Sequence, residues 1–76
     1  MIQELDTVVL ARAIEEHGLE GGDIGAVVHR YDEGEAFEVE FVTGEGRTVA
    51  VLTLERGDIR PMDEREILHA RAMAAA

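Results

Sequence analysis

The strictest pattern in this sequence is a short alternation. Phe37, Val39 and Phe41 are apolar, and Glu38 and Glu40 between them are charged. Successive side chains of a strand point to opposite faces, so this period of two predicts a β-strand over residues 36–42. Its apolar set faces a core and its two carboxylates face water. Three more segments read as strands from their β-branched residues: T-V-V-L-A at 7–11, A-V-V-H-R-Y at 26–31 and T-V-A-V-L-T-L at 48–54. The last of these is nearly apolar throughout, which predicts a strand covered on both faces or closing a barrel. Ile59 and Arg60 form a final short strand or a 3₁₀ piece, and Pro61, with no N–H to give, ends pairing.

Between the strands the polar and glycine-rich segments predict turns. Residues 20–25 carry three glycines, residues 32–35 and 43–47 each read as hairpin loops, and residues 55–58 turn before the last strand. Residues 13–19 read as a loop with one turn that Gly18 terminates in the left-handed conformation. After Pro61 the character changes. Asp63 reads as an N-cap with Glu66 three residues on, Met62 and Ile67 as a hydrophobic staple, and residues 64–74 as a helix with its acidic residues first. So short a helix is marginal alone and needs Ile67, Leu68 or Met73 to dock on a neighbour. The prediction is a mainly β protein: a small SH3-like barrel of about five strands over residues 1–61, followed by a C-terminal helical tail over residues 62–76. An OB-type barrel ranks second, because it needs more residues and usually a helix between strands.

Composition narrows the chemistry. Among 76 residues, 17 are acidic and 7 basic, for a formal charge of −10, and there is no Cys. All seven basic residues are Arg, so thiol nucleophiles, thiolate metal sites, disulfides, Schiff-base lysines and a P-loop lysine are excluded. A chain this short buries only about 60% of the surface it exposes when unfolded, which leaves little material for an enclosed active site. Binding to a phosphate backbone draws its affinity mainly from clustered Lys and Arg. Here Arg12, Arg30, Arg47, Arg56, Arg60, Arg65 and Arg71 are scattered, none with another within three positions. Neither nucleic acid nor an anionic membrane is an expected partner. No charged segment leads into an apolar stretch, and no apolar run approaches ~18 residues, so the expected compartment is the cytoplasm.

Individual residues add little catalytic promise. His17, His29 and His69 fall in a loop, a strand and a helix without a short-spaced pair, so no metal site is expected. Glu38 and Glu40 stand about 6–7 Å apart along one strand face, a separation at which paired carboxylates can do acid–base work. A solvent-facing strand does nothing to separate their proton affinities, however. The segment 21–25 puts Asp23 where a phosphate would need positive charge. Phe37 and Phe41 belong to the core face, which leaves Tyr31 alone and argues against a groove for proline-rich peptides.

The chain also resembles a small bacterial family of domains of unknown function. The residues that carry the likeness are E-L-D-T-V-V-L at 4–10, E-H-G-L at 16–19, G-D-I-G-A-V-V-H-R-Y at 22–31, G-E-A-F-E-V-E-F-V at 34–42, T-L at 53–54 and D-I-R-P at 58–61. The resemblance implies an SH3-type barrel over residues 4–61 and brings no catalytic residues. It also implies that some members are encoded beside other small proteins of toxin–antitoxin character. Residues 18–28, in loose form, are similar to the glycine-rich turns of other SH3-like barrels, a feature of shape and not of chemistry.

The functional expectation is a non-enzymatic protein-interaction module without cofactor, metal or catalytic residues. It acts as an antitoxin or immunity-type protein on a separately encoded partner, for which a basic protein is the fitting class. The alternative is an accessory subunit docking on a larger enzyme or electron-transfer complex. The expected contact residues are Tyr31, Asp32, Glu33, Glu35, Glu38 and Glu40, together with the tail. Self-association into a homodimer through a barrel edge or the tail also suits so small a core.

Overall fold

Five antiparallel strands form one open sheet in the order β4-β3-β2-β1-β5. They are β1 (Thr7–Leu10), β2 (Ile24–Tyr31), β3 (Ala36–Val42), β4 (Thr48–Glu55) and β5 (Ile59–Pro61). The structure, a computed structural model, describes residues 2–73. Consecutive strands from β1 to β4 are neighbours, and the chain then crosses back so that β5 pairs with β1, Leu10 standing opposite Ile59. The crossing is made by a 3₁₀ turn at Arg56–Asp58. Asp58 ties this turn down at two points: its carboxylate accepts the Glu55 amide at 3.0 Å and the Arg12 side chain at 2.8 Å.

The alternation in β3 reads directly onto the sheet. Phe37, Val39 and Phe41 are buried, while Glu38 and Glu40 lie on the other face. The core unites them with Val8 and Leu10 of β1, Val27 of β2, Leu54 of β4 and Ile59 of β5. Two further members come from the loop between β1 and β2. Ile14 and Leu19 pair across a 3₁₀ turn at Glu15–His17, with Gly18 left-handed at its end (φ 69°), as the sequence predicts.

β2 begins two residues earlier than expected, so Gly25 lies inside the strand and not in the preceding turn. Its place is fixed by close approach. A methyl there would stand 2.6 Å from Val39 Cγ1 and 2.9 Å from Phe41 Cε1. β4 is a correction: it lies at one edge of the sheet and is covered on one face only. Ala50 and Leu54 are buried, whereas Val51 is 45% exposed on the outer face.

The tail is the larger correction. Residues 62–73 form no helix, and residues 74–76, the first of which ends the predicted helix, lie outside the described residues. The capping interactions do form: the Asp63 amide donates to Glu66 Oε1 at 2.7 Å, the Arg65 amide to Asp63 Oδ1 at 2.8 Å, and the Glu66 amide to the Asp63 carbonyl at 3.0 Å. They close a single turn that does not propagate. The expected staple is absent, since Ile67 is 92% exposed. Glu66 is held by both guanidinium nitrogens of Arg60, at 2.8 and 2.7 Å. Beyond it the chain has no regular secondary structure through residue 73. Arg71 reaches Asp23 at the start of β2, to which it donates at 2.8 and 2.6 Å. Few helical hydrogen bonds are available to so short a segment, and a charge-assisted fork outweighs them.

Candidate functional site

The residues expected to meet a partner fall on the β2–β3 hairpin and on the outer face that continues from it. The hairpin tip is unusual in its backbone. Asp32 (φ 48°), Glu33 (φ 55°) and Gly34 (φ 101°) are all left-handed in succession. The turn is closed by the Gly34 amide donating to the Tyr31 carbonyl at 2.9 Å and the Glu35 amide to the Asp32 carbonyl at 3.3 Å. A left-handed conformation costs a non-glycine residue about 1 kcal/mol, less for Asp than for Glu. The sequence signals a glycine at this hairpin, but not that two acidic residues beside it adopt the glycine-like conformation.

Below the tip, β3 runs between β2 and β4, and each outward carboxylate is supported by a neighbour. Glu38 stands opposite His29 on one side and Thr53 on the other. The Thr53 hydroxyl donates to Glu38 Oε1 at 2.6 Å, and the Tyr31 hydroxyl lies 3.5 Å from the same oxygen. The Tyr31 ring meets His29 edge-on with centroids 4.5 Å apart, and His29 Nδ1 lies 3.1 Å from Glu4 Oε2. Glu40 accepts the Thr48 hydroxyl at 2.7 Å. Both glutamates are therefore half-buried and oriented, where the sequence alone suggests carboxylates standing free in water. Val51 and Val28 add exposed apolar surface to the same strands.

The structure thus brings Tyr31 and Glu38 into contact and sets Glu40 along the same strand. Asp32, Glu33 and Glu35 are all exposed at the adjoining tip. Among the described residues none of these five carboxylates forms an ion pair. Five of the seven arginines are engaged elsewhere: Arg12 with Asp58, Arg47 with Glu45, Arg60 with Glu66, Arg65 with Asp63 and Arg71 with Asp23, while Arg30 lies beneath Gly34 of the tip and donates to Gln3 at 3.1 Å. Chemically, the arrangement offers oriented hydrogen-bond acceptors and uncompensated negative charge beside one aromatic pair. Among the described residues no three His, Asp or Glu side chains converge as metal ligands.

Asp23, which the sequence offers only as an argument against phosphate binding, is the buried polar residue of the fold. It is only 8% exposed, and the Arg71 fork, followed by the Glu20 amide at 2.8 Å, holds its carboxyl below the usual carboxylate range against the opposing effect of burial. The partners are 48 positions apart, and no spacing rule connects them.

Residues 4–61 match the family described as Domain of unknown function (DUF4926), and the chain belongs to that family. No curated protein and no solved structure matches it.

Proposed function

We propose that this member of the DUF4926 family is a non-enzymatic protein-interaction module that receives a basic partner protein on its β2–β3 hairpin and the outer face beside it. One observation carries the reading. Five carboxylates, those of Asp32, Glu33, Glu35, Glu38 and Glu40, lie on the hairpin and the strand that follows it, none of them in an ion pair among the described residues, on a chain where five of the seven arginines are paired elsewhere. Strained backbone at the hairpin tip supports it, because left-handed Asp32 and Glu33 are costly and project charge from the end of the sheet. Uncompensated charge of one sign speeds encounter with a partner of the other sign and rejects like-charged competitors. An antitoxin or immunity-type role toward a separately encoded basic protein is the specific form this takes.

The fold belongs, in this proposal, to the SH3-like barrels. The supporting features are the β4-β3-β2-β1-β5 order, the 3₁₀ turn before β5 and the pairing of β5 with β1. The test is affinity capture from the source cell with two baits, the parent chain and the variant Asp32→Asn, Glu33→Gln, Glu35→Gln. A basic protein retained by the parent, released by moderate salt and lost with the variant is the expected result. Equal capture of the same proteins by both baits overturns the reading.

A further inference from the structure

A second surface, at the opposite end of β2 and β3 from the hairpin, holds a more specific recognition device. Arg71 sits in a receptor made of three oxygens. Its Nε donates to Asp23 Oδ1 at 2.8 Å, and one terminal nitrogen donates both to Asp23 Oδ2 at 2.6 Å and to the Gly18 carbonyl at 2.8 Å. The receptor is built by the body of the protein and not by the tail. Asp23 is fixed through the Glu20 amide and through its own backbone, whose carbonyl accepts the Leu10 amide at 2.8 Å. The Gly18 carbonyl is set by the left-handed end of the 3₁₀ turn. A planar guanidinium fits this fork and a lysine ammonium does not.

Beside the receptor lies an open cleft of about 590 Å³. Leu19, Ile24, Phe41 and Val49 line it from the body, and residues 68–73 of the tail form its other wall. The tail fills it poorly. Arg71 is flanked by Ala70 and Ala72, while Ile67 and Leu68 are 92% and 69% exposed. Among the described residues no backbone hydrogen bond joins residues 67–73 to the body. The segment is held by the Arg71 fork, with Glu20 Oε1 3.7 Å from Arg71 Nε, His69 Nε2 3.5 Å from Asp23 Oδ1 and Met73 over Gly18.

We propose that Asp23, the Gly18 carbonyl and the apolar cleft form a receptor for an extended arginine-bearing segment of a partner protein, and that residues 67–73 are its displaceable intramolecular occupant. The occupant preferred over the tail carries larger apolar side chains on either side of its arginine, because the cleft next to the fork is left unfilled by alanine. A tethered occupant competes at an effective concentration in the millimolar range, so the tail sets a threshold that a better-fitting segment must exceed. This site is separate from the acidic hairpin, and either can fail without the other.

The test is a titration, followed by amide NMR, of the full-length chain with two synthetic peptides. One carries the sequence of residues 67–73, and the other is the same peptide with Ala70→Leu and Ala72→Leu. The Arg71→Ala protein is expected to bind the first peptide at least tenfold more tightly than the parent does, with shifts centred on Gly18, Asp23 and Phe41. The leucine-flanked peptide is expected to bind the parent itself and more tightly than the first. Peptides with Arg71→Lys lose binding to the unaltered protein, a comparison that is independent of how any protein variant folds. Equal affinity of parent and Arg71→Ala protein, or equal binding of arginine and lysine peptides, overturns the proposal. A parent chain that is dimeric until Arg71→Ala makes it monomeric also overturns it, since the occupant is then the tail of a second copy.

Discussion

Gly25→Ala is a demanding test of how β2 and β3 pack. A methyl group at this position stands 2.6 Å from Val39 Cγ1, 2.9 Å from Phe41 Cε1 and 3.1 Å from the Glu40 carbonyl oxygen. Carbon pairs rest at about 3.5–4.0 Å, so the first two contacts lie about 0.9 and 0.6 Å inside that range. Neither neighbour yields easily, since Val39 is 0% and Phe41 2% exposed, and the strand pairing fixes the backbone behind them. Overpacking of this kind costs about 1–3 kcal/mol, and three simultaneous contacts put the expectation at about 2–3 kcal/mol. For a chain of this size that lowers the melting temperature by about 10–20 °C. Thermal and urea unfolding followed by circular dichroism measure it, with Gly44→Ala as the control, where a methyl meets nothing within 4 Å. The control is expected to leave stability unchanged or to raise it by up to about 1 kcal/mol through the unfolded state. Removing the nearest clash with Val39→Ala should make the double variant less damaging than the sum of the two singles by about 1 kcal/mol. A Gly25→Ala protein melting within about 3 °C of the parent, or strictly additive singles, refutes the argument.

Other outcomes follow from the same packing and charges. Phe37→Ala removes the largest fully buried side chain and costs about 3–5 kcal/mol. Set against a total of about 4–11 kcal/mol for 76 residues, that is a quarter or more of the whole, which thermal unfolding reads as a drop of at least about 12 °C. Glu33→Asn, which suits the left-handed backbone better, is expected to raise the urea midpoint by the equivalent of up to about 1 kcal/mol. The Arg60 fork and the Asp63 amide lower Glu66 from its ordinary 4.5 to about 2. A depressed carboxylate stabilises above its unfolded value and loses that contribution as pH falls, so the Arg60–Glu66 clasp weakens between about pH 4.5 and pH 2. Proteolysis of residues 62–66 should accelerate over that window, and Arg60→Gln should reduce the pH dependence to the part supplied by the Asp63 amide.

Where local pattern and tertiary environment agree, the sequence was a sufficient guide. β3 was legible because Phe37, Val39 and Phe41 alternate without exception and each finds the core. Gly18 was legible because a left-handed helix end has few other solutions. Gly25 reads as part of a turn in the sequence because glycine signals either a bend or a close approach, and only the neighbouring strand decides which. β4 looked two-faced because Val51 is apolar, yet an edge strand leaves that face to solvent. The tail had the capping residues and propensity of a helix, and lost it to Arg60 and Asp23, partners six and 48 positions from the residues they capture. Of the candidate site, strand period places Glu38 and Glu40 on one face, but says nothing of the Tyr31 hydroxyl that lies 3.5 Å from Glu38. It could not supply the hydroxyls of Thr48 and Thr53 that hold them, because cross-strand register is set by the whole sheet.

The pairing of β5 with β1 also has a consequence for how this protein comes to exist during translation. Residues 7–55 can assemble as a run of successive hairpins while the polypeptide is still growing, but one edge of β1 has no neighbour until Ile59, Arg60 and Pro61 have been synthesised. At elongation speeds of about 5–20 residues per second, roughly 3–10 s separate the appearance of Leu10 from that of its last partner. During that interval the nascent β1 exposes an open ribbon of peptide groups, and completing the sheet is the step that withdraws it from adventitious pairing with other newly made chains.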